Sequence, residues 1–120
     1  MAGFTGIVHA HGNPLDIRRV LDYPCEVLSW SDRLPGNPSI AEVRALTGKC
    51  LMGGIDETRM HERSMPELRA EVTDALRQAG GPRNFVLSPG CNVNSGISMR
   101  HLRCLRDCVH AVAPPTGRSE

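Results

Sequence analysis

Thr5-Gly6-Ile7-Val8-His9-Ala10-His11-Gly12-Asn13-Pro14 is the stretch from which the rest of the chain is read. A β-branched run stops at Gly-Asn-Pro, the punctuation of a strand giving way to a helix start. His9 and His11 stand two apart, so on a strand both imidazoles project to the same face. A second stretch, Phe85-Val86-Leu87-Ser88-Pro89-Gly90-Cys91, ends in the same manner: an apolar strand is halted by Pro-Gly and a cysteine follows. These three side chains would lie at C-terminal ends of strands, where parallel α/β folds place their chemistry. Two imidazoles and a thiolate make a three-ligand zinc site with a fourth position open. Spacing alone favours a plainer reading, two hydrogen-bonded imidazoles at a strand end and a buried thiol.

Working outward, four strand-then-helix units follow one another. The first strand runs from about Thr5 to His9. Its helix is expected to start with Asn13 as N-cap and Pro14 at the first helical position, and to bury Ile17, Val20 and Leu21. The second strand, Cys25 to Trp30, leads through a polar loop to the capping box Ser39-Ile40-Ala41-Glu42. That helix buries Ile40, Val43 and Leu46 and ends at Gly48. The third strand, Lys49 to Met52, runs into Gly53-Gly54. A charged loop then reaches the capping box Ser64-Met65-Pro66-Glu67 and a helix with Leu68, Val72, Ala75, Leu76 and Ala79 on one face, stopped by Gly80. The fourth strand, Phe85 to Ser88, precedes a helix from about Ser98 whose Leu102, Leu105, Val109 and Val112 are expected to face inward.

Alternating units of this kind specify an α/β fold with a parallel sheet. Four of them are half of a (β/α)8 barrel, or alternatively a small open sheet with helices on both faces. Residues 1–113 form this domain and 114–120, which follow the helix, are read as a disordered tail. A half-barrel leaves two strand edges open and an interior unfilled, so it calls for an N-terminal half-barrel or a homodimer partner.

The 120 residues carry a formal charge of +1 with no basic stripe, which argues against a nucleic-acid partner. No apolar run is long enough for a membrane span. The N-terminus has neither the charged nor the apolar region of a secretion signal. Five irregularly spaced cysteines fit reduced thiols and a cytoplasmic location.

Val8-His9-Ala10-His11-Gly12-Asn13, Leu28-Ser29-Trp30-Ser31-Asp32-Arg33, Met52-Gly53-Gly54-Ile55-Asp56-Glu57 and Leu87-Ser88-Pro89-Gly90-Cys91-Asn92-Val93 together resemble the C-terminal half of the uroporphyrinogen decarboxylase superfamily. The resemblance runs from about Thr5 to Val112 and implies the C-terminal half of a (β/α)8 barrel. It is closest to the zinc- and corrinoid-dependent methyltransferase branch, which binds zinc through a His-x-Cys pair and a distant Cys. By that resemblance His9 and Cys91 are zinc ligands, and His11 stands where the first Cys would be. A thiolate is thereby exchanged for a neutral imidazole, which makes the site less electron-rich. The implied chemistry moves a methyl group from a methyl-corrinoid, carried by a corrinoid protein, to a small-molecule thiol. The alternative branch decarboxylates uroporphyrinogen in porphyrin biosynthesis without metal, and tends to carry His-Gly where this chain has Gly90-Cys91. A non-catalytic half-barrel assembly module is the third reading.

Asp32 and Arg33 after the second strand, and Asp56 and Glu57 after the third, share the presumed barrel mouth. Asp32, Arg33 and Asp56 are candidate substrate contacts, against the commoner outcome of internal ion pairs and loop caps. His61 reads as solvated. His101, Cys104 and Cys108 share one helical face, where cysteine more often packs than binds. Cys25 and Cys50 read as core, and Trp30 as either pocket lining or core.

Overall fold

The computed structural model describes residues 3–112. Four strands, β1 (Ile7–Ala10), β2 (Val27–Trp30), β3 (Cys50–Ile55) and β4 (Phe85–Pro89), form one sheet in the order β1-β2-β3-β4. All three pairings are parallel, with His9 opposite Ser29, Ser29 opposite Met52 and Met52 opposite Val86. Sequential order with parallel neighbours is the arrangement of half a (β/α)8 barrel. Three helices, α1 (Ile40–Arg44), α2 (Met65–Ala79) and α3 (Met99–Val112), cover the outer side. The tail at 114–120 and the side chain of Val112 lie outside the described residues. No helix among the described residues is long and apolar enough to cross a membrane.

Strand alternation divides the sheet into a packed face and an open one. Leu28, Trp30 and Leu51 point toward the helices and join Ile17, Ile40, Val43 and Ala79 in one apolar cluster. Ile55, Met60, Leu68, Val72 and Cys104 form a second cluster where α2 and α3 meet. Trp30 is fully buried in the first cluster rather than lining a pocket, and its indole N–H donates to the Pro38 carbonyl at 2.8 Å. On the other face Ile7 is 55% and Val86 41% exposed, as apolar residues of a barrel interior are when only half the barrel is present.

Both capping boxes form as expected. Ser39 and Glu42 exchange hydrogen bonds at the start of α1, and Ser64 and Glu67 do so at α2. Gly80 ends α2 in the left-handed region at φ 85°, where a side chain is disfavoured.

Four local expectations are corrected. No helix starts at Asn13; only a 3-10 turn forms at Ile17–Arg19. Instead a distant loop holds the segment: Asn37 accepts from the Leu15 N–H, the donor an Asn13 cap would have taken, and donates to the carbonyls of Gly12 and Ser31. Helix α1 stops at Arg44, short of Gly48, because the Arg44 guanidinium reaches the carbonyls of Thr47, Lys49 and Asn84. Strand β3 in turn extends through Gly53 and Gly54. Gly54 has φ +103°, and a Cβ there would lie 2.6 Å from the Ala75 Cβ, so its bare backbone lets α2 lie close on the sheet. Finally, α3 is rotated from its expected orientation. Leu102 and Val109 are exposed, whereas Cys104 is buried and Leu105 and Cys108 pack against the second cluster. Cys104 and Cys108, together with Leu105, face the second cluster in place of Leu102 and Val109.

Candidate metal centre

His9 lies on β1 and faces the open side of the sheet, exposed to solvent. Its Nδ1 shares a 3.1 Å hydrogen bond with the Ser29 hydroxyl on the facing register position of β2. That bond fixes the ring and leaves Nε2 as the free donor atom. His11 follows one residue after the end of β1 and is also exposed, and its ring centroid stands 6.5 Å from that of His9. Cys91 comes two residues after the end of β4 and is half-buried.

One ligand atom from each of the three lies within 4.8 Å of the others. In a flat sheet the first and last of four strands would stand ~14 Å apart at ~4.8 Å per spacing. The sheet must therefore curl toward its C-terminal rim for β1 and β4 to bring these side chains together. Ligand atoms around tetrahedral zinc lie roughly 3.3–3.6 Å apart for bonds of about 2.0–2.3 Å, which leaves little over 1 Å to close. Two borderline nitrogen donors, one soft sulfur and an open side suit a divalent ion of the zinc type.

The Cys91 loop is held by residues that sequence reading did not assign to it. The Gly90 N–H donates to the Ile55 carbonyl at 3.1 Å, continuing the β3–β4 pairing past the strand. A Cβ at position 90 would lie 2.7 Å from the Ser31 Cα, 2.9 Å from Glu57 Oε1 and 3.1 Å from the Trp30 carbonyl oxygen. Only glycine fits this approach. The Ser31 hydroxyl donates to Glu57 Oε2 at 2.6 Å, and both residues are buried. The Pro-Gly signal marked the turn, but its buried neighbours come from loops 33 and 59 residues earlier, beyond any local pattern.

Asp32, Arg33 and Asp56 occupy the same rim but do not join the three donors. Asp32 is buried and accepts from the Gly54 N–H at 2.9 Å. Burial pushes its carboxyl up to about 6, opposed by the Gly54 N–H and by Arg33 and reinforced by Glu57. Arg33 donates to the Gly54 carbonyl, to the Glu71 carbonyl and to Asp74 Oδ2 at 2.7 Å, tying the end of β2 to α2. Asp56 accepts from the Thr58 N–H and hydroxyl, and its own N–H donates to Glu71. Their polar groups face one another and α2 instead of the open side. His61 is only partly exposed and stands 3.7 Å from Glu62.

Comparison with curated proteins finds no match. A family model described as uroporphyrinogen decarboxylase (URO-D) matches residues 3–112, nearly the whole chain. The four-stranded parallel sheet agrees with the (β/α) barrel of that family, and the chain belongs to the uroporphyrinogen decarboxylase family.

Proposed function

We propose that this chain is a zinc-dependent methyl-transfer domain, taking a methyl group from a methyl-corrinoid to a small-molecule thiol. The observation that supports this reading most is the approach of His9, His11 and Cys91 donor atoms to within 4.8 Å across the outer strands. Zinc, when bound, supplies Lewis acidity that lowers the pKa of an incoming thiol at an open coordination position. His9, oriented by Ser29, and Cys91, fixed by Gly90, are its ligands. His11 is the third, and as a neutral donor it leaves the ion more positive than a second thiolate would. The substrate and the methyl-corrinoid of a partner protein approach from the open face. An N-terminal half-barrel, or a second copy, completes that face by pairing with β1 and β4. The free thiols of Cys25, Cys50, Cys91, Cys104 and Cys108 accord with a reducing, cytoplasmic setting.

Metal analysis of mildly purified protein tests this. The expected result is stoichiometric zinc that Cys91→Ala releases, together with thiol methylation when the other half-barrel and a methyl-corrinoid protein are supplied. Wild type without zinc, or Cys91→Ala with zinc undiminished, overturns it. The family description itself favours a second reading, a metal-free decarboxylase-type fragment. Uroporphyrinogen turnover insensitive to chelators would select it. If neither activity appears with any partner, a non-catalytic half-barrel module is left.

A further inference from the structure

On the side of the molecule away from the open sheet face, α2 and α3 enclose a groove of about 720 Å³. Its lining includes the thiols of Cys104 and Cys108, the Met65 thioether, the guanidinium groups of Arg69, Arg100 and Arg103, and the Asp107 carboxylate. Cys104 and Cys108 are one helical turn apart on α3 and line the same groove. Burial, and then the neighbouring Cys104, push the Cys108 thiol up; Arg69 opposes the rise and Asp107 adds to it. Arg69 approaches Cys104 Sγ at 3.9 Å from α2. Among the described residues Arg69, Arg100 and Arg103 form no ion pair with a carboxylate. His101 lies on the same helix but is committed elsewhere: its Nδ1 bonds the Ser98 hydroxyl and its Nε2 the Arg63 carbonyl.

We infer that Cys104 and Cys108 form a two-thiolate site for a soft monovalent cation, Cu(I), separate from the donors at the barrel rim. The sulfur donors gathered here are soft, and the His101 imidazole is committed elsewhere. The Asp107 carboxylate on the same lining is a hard donor that a soft ion does not require. Two sulfurs suffice for Cu(I), which thiolate and thioether donors select, and Met65 brings a thioether to the same groove. Binding breaks two S–H bonds, forms two Cu–S bonds and releases two protons to solvent, with no electron transferred. The resulting complex carries one negative charge. Arg69, Arg100 and Arg103 outnumber the Asp107 carboxylate on the groove lining, and Arg69 reaches Cys104 Sγ.

The test is anaerobic titration of the full chain with Cu(I) against bicinchoninate, in a Cys91→Ser background that removes the rim thiol. One equivalent of Cu(I) should still bind. Cys108→Ser, at a half-buried position that tolerates the change, should weaken binding about a hundredfold or more. Cys104→Ser should do the same, with circular dichroism confirming that each variant is folded. Arg69→Gln should weaken binding about threefold to tenfold, less so at high salt, without changing stoichiometry. Cu(I) binding that Cys91→Ser abolishes, or that Cys108→Ser leaves unaltered in folded protein, overturns the assignment. Failure of zinc binding at His9, His11 and Cys91 would leave this outcome untouched, because the two readouts use different ions and different thiols.

Discussion

The ends of the two outer strands differ from the ends of the two inner strands, although all four lie on one rim. After β2 and β3 come Asp32, Arg33, Asp56 and Glu57, whose charges are engaged with Ser31, Gly54, Glu71 and Asp74. At β1 and β4 stand His9, His11 and Cys91, whose donor atoms face open space and one another. The inner ends lie under α2, where an unpaired charge would carry a large desolvation penalty, so their polar residues pair largely with one another. Among these inner-end groups Asp32 Oδ2 and Glu57 Oε1 alone are buried without a hydrogen-bond partner. The outer ends have no such cover and keep uncommitted ligands. Position under the helix layer, more than residue type, separates framework from candidate chemistry.

The largest expected effect is on the inner side. Arg33→Ala removes the cation shared by Asp32, Glu71 and Asp74, and should lower unfolding free energy by about 3–5 kcal/mol in urea denaturation. A loss below about 0.5 kcal/mol, the size of an ordinary surface change, would erase the distinction between inner and outer ends. Next comes the junction of the two regions. Gly90→Ala drives a Cβ into the Ser31 backbone and the Glu57 carboxylate. It should cost about 1–3 kcal/mol in the same measurement and also weaken zinc binding, because Cys91 shifts with it.

Asp32 gives a smaller effect, read through pH. Its carboxyl is raised from 3.8 to about 6 in the folded chain, so the native state holds a proton that the unfolded chain gives up. This contribution to stability is complete below pH 3.8 and is lost as pH rises to about 6. Asp32→Asn, which keeps an acceptor for the Gly54 N–H, should flatten the stability curve across that window. An unchanged slope would mean that Asp32 is not the group responsible. Smallest for the fold is His11→Ala, expected within about 0.5 kcal/mol of wild type. The same variant should reduce zinc affinity, whereas His11→Cys should raise it by restoring a thiolate donor.

What the sequence made legible were features encoded within a few residues. Ser39 with Glu42 and Ser64 with Glu67 announce their helix starts, and apolar runs locate four strands whose sequential parallel order follows from alternation with helices. His9, His11 and Cys91 were identifiable as residue types at strand ends, and the family resemblance singled them out as a set. What was not legible depends on contacts between distant segments. Asn37 holds the loop at Gly12 and Leu15 from more than 20 residues away, where a local cap by Asn13 is expected. Ser29 meets His9 only through strand register. The face of α3 misled because periodicity ranks leucine and valine as core, while close packing on α2 admitted Cys104 instead. Asp32, Arg33 and Asp56 were placed on the right rim, but no local pattern tells that α2 covers them.

Cobalt substitution tests the central claim most directly, that outer-strand ends gather one sulfur and two imidazoles on a single ion. Co(II) bound to the chain should show a thiolate-to-cobalt charge-transfer band that Cys91→Ala removes, and His9→Ala should weaken cobalt binding without removing the sulfur ligand. A Co(II) spectrum with no thiolate band in wild type, or one that survives Cys91→Ala, would contradict it.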